Sequence, residues 1–260
     1  MVKNRPCKLM RSNDTTMWGT RWGDGATNTI TRGGWELCTS DLFHYYDHPL
    51  LAAFFDLMHG EYGENAILRT CKAQGRTVSD GTKRGTKILT TEDKIKLPII
   101  TIDQRVEIAV RVSLLLVQPQ EYIAWANKWL DGADRCSVVA LGAATNATAI
   151  IRAAYPVRTT TPTRDIPFVA RVASDIANAI RATVADVVYD IRTITRAAPY
   201  AAYAAYYTAN AAAYTPTCTA YEVYNGAVDA ANAVSAAIRG GISSCVVLDI
   251  IDQVVNKEEQ

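Results

Sequence analysis

The sequence predicts an α+β protein with a small β-rich N-terminal domain, residues 1–100, followed by an all-helical, alanine-rich bundle, residues 101–260. Two shifts in composition lead to this prediction. Residues 1–139 contain nine alanines and residues 140–240 contain thirty, whereas ten of the fifteen glycines lie within the first 100 positions. Alanine favours helix and glycine marks turns, so the secondary structure should change together with the composition.

Short alternating stretches predict four strands in the first part of the chain. They are Met17–Trp22, Trp35–Cys38, Ala66–Cys71 and Lys87–Leu89. A helix should interrupt them between Asp47 and His59. Asp47 can cap such a helix, and Pro49 suits its first turn. We therefore expect one helix packed on a small twisted sheet.

Beyond Thr101 the apolar residues recur with helical spacing. The predicted helices cover residues 103–117, 121–130, 134–155, 174–195, 200–214, 219–239 and 242–255. Within the fourth of these, residues 174–184 and 185–195 align at a period of eleven, which places matching side chains on one helix face. Residues 156–167 are polar and contain three prolines, which is typical of a connector.

Charge and cysteine usage exclude several classes of protein. The chain carries 27 basic and 26 acidic side chains, so the excess of cations that double-stranded nucleic acid requires is absent, although a local basic groove remains possible. The six cysteines form no Cys-x-x-Cys pair, which argues against zinc. The longest strongly apolar run, Val112–Val117, is too short to cross a membrane. We expect a cytoplasmic protein with reduced thiols and no membrane partner.

Three stretches carry a family resemblance: residues 37–76, residues 100–110 (ITIDQRVEIAV) and residues 125–137 (WANKWLDGADRCS). Together they resemble functionally uncharacterised phage and prophage proteins with a compact N-terminal domain and an alanine-rich helical tail. The best-matching positions are Cys38, His44, Pro49, Leu50, Leu51, Gln104, Arg105, Trp125, Trp129, Leu130, Gly132, Asp134 and Arg135. The chain departs from the pattern at Arg69, where tryptophan is expected. The resemblance implies a viral accessory protein in a host bacterial cell and no catalytic residue.

The histidines His44, His48 and His59 cluster in sequence with several acidic residues. Such residues can form a metal site or an acid–base pair, but their spacing favours capping and packing. A nucleophilic Cys38 would need a nearby base, and one histidine six residues away is weak support. We therefore expect no metal and no cofactor.

Aromatic residues on the predicted helices allow two interpretations each. Trp125 and Trp129 lie four apart and can stack a base, but packing of their helix onto the N-terminal domain is the simpler interpretation. A second aromatic set has the three–four spacing of a heptad seam. It comprises Tyr200, Tyr203, Tyr207, Asn210 and Tyr214. This set is a core or oligomer seam, or else the wall of a pocket on which a nucleobase stacks.

Our leading hypothesis is a phage-encoded, non-enzymatic binding protein that counters host defence by sequestering a small nucleotide-like signalling ligand. Arginines beside tyrosines suit phosphate and base recognition. The predicted ligand-binding residues are Arg181, Arg192, Arg196, Tyr189, Tyr203 and Tyr207. The alternative is a structural or protein-interaction role, with the helical half forming a homo-oligomer or gripping a host protein. A third possibility is an enzyme that uses Cys38, His44 and Asp47.

Overall fold

The computed structural model describes residues 5–59, 65–117, 119–133, 135, 139–140, 142–143, 200, 203–213 and 220–257. The chain divides into two compact units, Met1–Ile100 and Thr101–Gln260. The first contains a sheet and the second contains helices, which confirms the α+β class at this level. The predicted connector at 156–167 and the eleven-residue period at 174–195 lie outside the described residues.

One antiparallel sheet of five strands forms the first unit. The strands are β1 (Cys7–Met10), β2 (Thr27–Thr29), β3 (Phe43–Tyr45), β4 (Ile67–Ser79) and β5 (Arg84–Ile95). Their order is β1-β4-β5-β2, and β3 also pairs with β5. The sheet is therefore built on the long β4–β5 hairpin, to which three short strands from earlier in the chain are added.

Two of the four predicted strands are wrong. The other two are confirmed, because Ala66–Cys71 falls almost entirely within β4 and Lys87–Leu89 falls within β5. Met17–Trp22 instead forms most of a tight loop, because Gly19 adopts a φ of 76° and donates its N–H to the Thr16 carbonyl.

The predicted strand Trp35–Cys38 is also a loop. The Thr39 hydroxyl donates to the Glu36 carbonyl at 2.8 Å, and Cys38 has a φ of 66°. A positive φ lies outside the extended region that a strand needs, so this stretch cannot join the sheet.

Helix α1 (Pro49–His59) packs on β1 and confirms the predicted helix between the strands. Its cap differs from our expectation. The Leu50 N–H donates to His48 Nδ1 at 3.1 Å, whereas Asp47 pairs with Arg84 at 2.7 Å. Apolar residues of α1, including Phe54 and Phe55, are fully buried. A further buried cluster of the unit contains Met10, Trp22, Tyr45, Ile67, Cys71 and Leu89.

Five long helices of the second unit lie among the described residues, and residues 139–140 and 142–143 are also helical. The five long helices are α2 (Ile102–Ser113), α3 (Gln120–Leu130), α4 (residues 203–213), α5 (Ala220–Arg239) and α6 (Ser244–Val255). Thr101 and Gln104 form a capping box at the start of α2. Gly132, with a φ of 74°, ends α3 as the Asp131–Gly132 pair predicts. Ser243 caps α6 through the Cys245 N–H.

Helix α2 lies at the centre of this unit and packs against α3, α5 and α6. Two buried hydrogen-bonding contacts connect α2 to α3 and to α4. The Tyr122 hydroxyl of α3 lies 2.7 Å from the Ser113 hydroxyl, and Thr208 of α4 donates to the Ala109 carbonyl at 3.3 Å. Alanines of α4 and α5 are buried around this contact, so small side chains allow the helix backbones to approach closely. No described helix is both long and apolar enough to span a bilayer.

Candidate functional site

Four of the six predicted ligand-binding residues lie outside the described residues. They are Arg181, Tyr189, Arg192 and Arg196. The other two, Tyr203 and Tyr207, lie one turn apart on α4 and are half-buried. The structure therefore brings together the tyrosine part of the predicted site.

Helix α4 has two chemically distinct faces. The fully buried positions are alanines and one threonine: Ala204, Ala205, Thr208, Ala209, Ala211 and Ala212. The half-buried positions include Tyr203, Tyr206, Tyr207 and Asn210. The small residues occupy the core, and the tyrosines lie at its margin. Half-burial of Tyr203 and Tyr207 agrees with both interpretations of the sequence, a core or oligomer seam and a pocket wall, and the seam residue Tyr214 lies outside the described residues.

The tyrosine rings form a compact aromatic cluster. The rings of Tyr203 and Tyr207 are stacked, with centroids 6.2 Å apart and planes only 10° from parallel. Tyr206 meets Tyr207 edge to face at 5.4 Å and 70°. Burial raises the pKa of both Tyr203 and Tyr207, so their hydroxyls stay protonated at neutral pH. The cluster thus presents uncharged rings with hydrogen-bonding tips.

A carboxyl group lies beside this cluster. Burial raises the pKa of Asp229, on α5, to about 7, and a hydrogen bond from the Asn232 side chain opposes that rise. The charge of Asp229 also helps to raise the pKa of Tyr207, so the two groups interact electrostatically. Sequence reasoning missed Asp229. The available signal was a single acidic residue within the otherwise small and apolar run AVDAANAV.

The Tyr203–Tyr207 pair, Tyr206 and Asp229 are called the tyrosine–aspartate cluster below. A stacked aromatic pair offers a flat apolar surface, and a carboxyl group near its titration point both accepts and donates hydrogen bonds. This combination suits a planar heterocycle whose edge carries polar hydrogens.

His44 and His48 occupy structural roles. His44 Nε2 accepts the Cys38 backbone N–H at 3.2 Å, and His48 Nδ1 caps α1. Burial, with Lys83 and Lys8 nearby, lowers the pKa of His44 to about 4. A ring nitrogen that already accepts a hydrogen bond from a backbone N–H is a poor general base. The proposed Cys38–His44–Asp47 constellation therefore lacks support, since the Asp47 carboxylate pairs with Arg84.

The two tryptophans of α3 are buried. Trp125 is 4% exposed and Trp129 is 1% exposed. Arg135 lies 4.7 Å from the Trp129 ring centroid and 4.0 Å from the Asp103 carboxylate. These contacts make packing the role of Trp125 and Trp129, and neither ring is open to a base.

An open groove of about 450 Å³ lies in the first unit. It is lined by Pro6, Tyr45, Asp47, Cys71, Lys72, Ala73, Thr77, Arg84 and Glu92. The charges of its two cationic and two carboxylate side chains balance. Burial raises the pKa of the Cys71 thiol to about 12. That thiol is therefore not a nucleophile at neutral pH.

Within the described ranges, no group of three or more His, Cys, Asp or Glu side chains is placed to hold a metal ion. No protein-family model, no curated protein and no solved structure matches this chain.

Proposed function

We propose that the helical unit is a non-enzymatic binding module for a small nucleotide-like ligand. The observation that carries the proposal is the parallel Tyr203–Tyr207 pair with the Asp229 carboxyl beside it. A base or similar heterocycle stacks on the tyrosine rings, which bury area at low entropic cost. The Asp229 carboxyl bonds to the polar edge of that heterocycle.

The phosphate-recognising part of the site is assigned to the predicted arginines. Arg181, Tyr189 and Arg192 lie in residues 174–195, for which the sequence predicts helix, and Arg196 follows directly. In this proposal the segment completes an all-helical bundle and directs guanidinium groups to the ligand phosphates, for which their planar, bidentate geometry is suited.

The biological setting rests on the family resemblance. A phage accessory protein in the bacterial cytoplasm would use such a site to sequester a signalling nucleotide of the host defence. A sequestering protein needs affinity and slow release rather than catalysis. The structural use of His44 and His48 supports this choice over an enzyme.

A second candidate uses the same surface for self-association. Half-buried tyrosines are common in protein interfaces, where they act as anchors. In that case the tyrosine–aspartate cluster would pack against a second copy of the chain, and the function would be assembly.

Isothermal titration calorimetry with a panel of cyclic and ADP-ribose-type nucleotides tests the proposal. The chain should bind at least one compound, and Tyr203→Ala should weaken that binding by about tenfold or more, because one stacking surface is lost. Tyr203→Phe keeps the ring and should bind within a few fold of the unchanged chain. Silence across the panel would count decisively against a nucleotide site.

Multi-angle light scattering on the same proteins tests the second candidate. If the tyrosine face mediates self-association, the unchanged chain is an oligomer and Tyr203→Ala lowers its mass. An unchanged mass together with lost nucleotide binding supports the ligand site.

A further inference from the structure

A rigid loop in the first unit exposes two large apolar side chains. In residues 15–21, here called the Trp18 loop, Trp18 is 78% exposed and Met17 is 47% exposed. Thr15 and Arg21 form a β-bridge across the base of the loop, and the Thr16 N–H donates to the Thr20 carbonyl at 3.0 Å. Such an ordered loop keeps its exposed tryptophan available at little further cost in entropy.

A partly buried ion pair anchors the chain just before this loop. Arg69 Nε lies 3.2 Å from the Asp14 carboxylate, and the arginine side chain is only 12% exposed. Arg69 also donates to the Glu92 carbonyl at 3.1 Å. Asp14 is thereby fixed to the β4–β5 hairpin.

The loop continues into the edge strand of the sheet. The Asn28 side chain donates to the Arg21 carbonyl at 2.9 Å, which holds the loop against β2. Thr27 and Thr29 of this strand are exposed, and Arg32 follows as another exposed side chain. The Thr27 hydroxyl bonds to the Thr90 hydroxyl at 2.8 Å, and Arg32 is the exposed cation that follows this edge.

A second aromatic side chain lies beyond that strand. The Trp35 indole has the Arg76 guanidinium 4.6 Å and the Lys87 ammonium 5.3 Å from its centroid. Lys87 also donates to the Arg32 and Gly33 carbonyls, at 3.1 and 2.7 Å. Trp35 is thus fixed beside two cations, and its stacked arginine is itself exposed.

An exposed tryptophan and a tryptophan stacked with an arginine, together with exposed cations, are the elements that single-stranded nucleic acid requires. Bases stack on aromatic and guanidinium planes, and lysine or arginine contacts the phosphates. The exposed cations of these segments are Arg21, Arg32 and Arg76, against the exposed acids Asp24 and Glu36. This modest excess suits a short single strand better than a duplex, which needs many clustered cations.

We propose that the Trp18 loop, the β2 edge and the Trp35–Arg76 pair form a binding surface for single-stranded nucleic acid. One base stacks on Trp18 and another on the Arg76 guanidinium above Trp35. The backbone between them passes Arg21 and Arg32. This site is separate from the tyrosine–aspartate cluster and uses none of its residues.

Fluorescence anisotropy with labelled twelve-nucleotide dT and U strands tests the inference. The unchanged chain should bind, and Trp18→Ala should raise the Kd by about tenfold, since stacking contributes about 1–3 kcal/mol per base. Trp18→Phe should restore most of the affinity. Arg32→Gln should reduce the dependence of log K on log salt by about 0.7.

Two controls make the result decisive. Tyr203→Ala should leave strand binding unchanged, and Trp18→Ala should leave nucleotide binding unchanged, so failure of one site is distinguishable from failure of the other. If an acidic peptide of glutamates competes as well as the dT strand, or if Trp18→Ala binds the strand normally, the surface is not a nucleic-acid site.

Discussion

The buried carboxyl of Asp229 should make the folded protein less stable as the pH rises. Burial raises its pKa to about 7 in the folded chain, whereas an unfolded chain ionises an aspartate at about 3.9. Below about pH 4 both states hold the proton and there is no penalty. Between about pH 4 and pH 7 the folded state retains a proton that the unfolded chain has released, so the free energy of unfolding falls.

The size of this loss follows from the two pKa values. It accumulates at about 1.36 kcal/mol per pH unit and reaches about 4 kcal/mol above pH 7. Asp229 is partly exposed, and solvent screening reduces the effect, so we expect about 2 kcal/mol. Asp229→Asn removes the titration at nearly constant volume. The variant should gain about 2 kcal/mol at pH 8 and nothing at pH 4.

Urea unfolding followed by circular dichroism at pH 4, 6 and 8 measures this difference. Asp249→Asn is the matched control, because Asp249 is an exposed carboxylate in the same unit. The control should follow the pH dependence of the unchanged chain. Identical pH dependence in the unchanged chain and in Asp229→Asn would refute the argument that this carboxyl is buried.

Three further predictions concern the two units separately. Tyr122→Phe should cost about 1–2 kcal/mol in urea unfolding, because it removes the buried contact to Ser113; full additivity with Ser113→Ala would contradict a direct bond. Gly33→Ala should cost more than about 1 kcal/mol, because a methyl group at its φ of 81° meets a carboxylate, and hydrogen exchange should show a loosened loop. A thiol-reactive dye should label Cys38, which is exposed, and spare Cys71, which is buried; peptide mass mapping of equal labelling would disprove this.

Several helix ends could be predicted because local chemistry sets them, although α2 ends at Ser113 and not at the predicted residue 117. Pro49 begins α1, the Thr101–Gln104 capping box begins α2, and Gly132 ends α3. Each signal acts within a few residues and leaves a direct trace in the sequence.

The short strands could not be predicted because distant pairing creates them. All four residues of β1 are buried, including Lys8, so the alternation that reveals a strand is absent. The partner of Cys7 in the sheet is Thr70. A tripeptide such as Phe43–Tyr45 is a strand only because β5 lies beside it.

The candidate site, like the fold, could be predicted only in part. The spacing of Tyr203 and Tyr207 places them on one helix face, which the structure confirms by their stacking. Asp229 acquires its raised pKa from burial by tertiary packing. No periodicity in the sequence reports that environment, since desolvation depends on neighbours from other elements.

The pairing scheme of the sheet also sets the order in which it can form during synthesis. The first three strands have their ladder partners in β4 and β5, whose last residue is Ile95. The ribosome therefore releases most of this unit before any of these ladders has a template. We expect β1, β2 and β3 to lack their ladder partners on the nascent chain until the hairpin emerges, a period of seconds at the usual rate of about 5–20 residues per second.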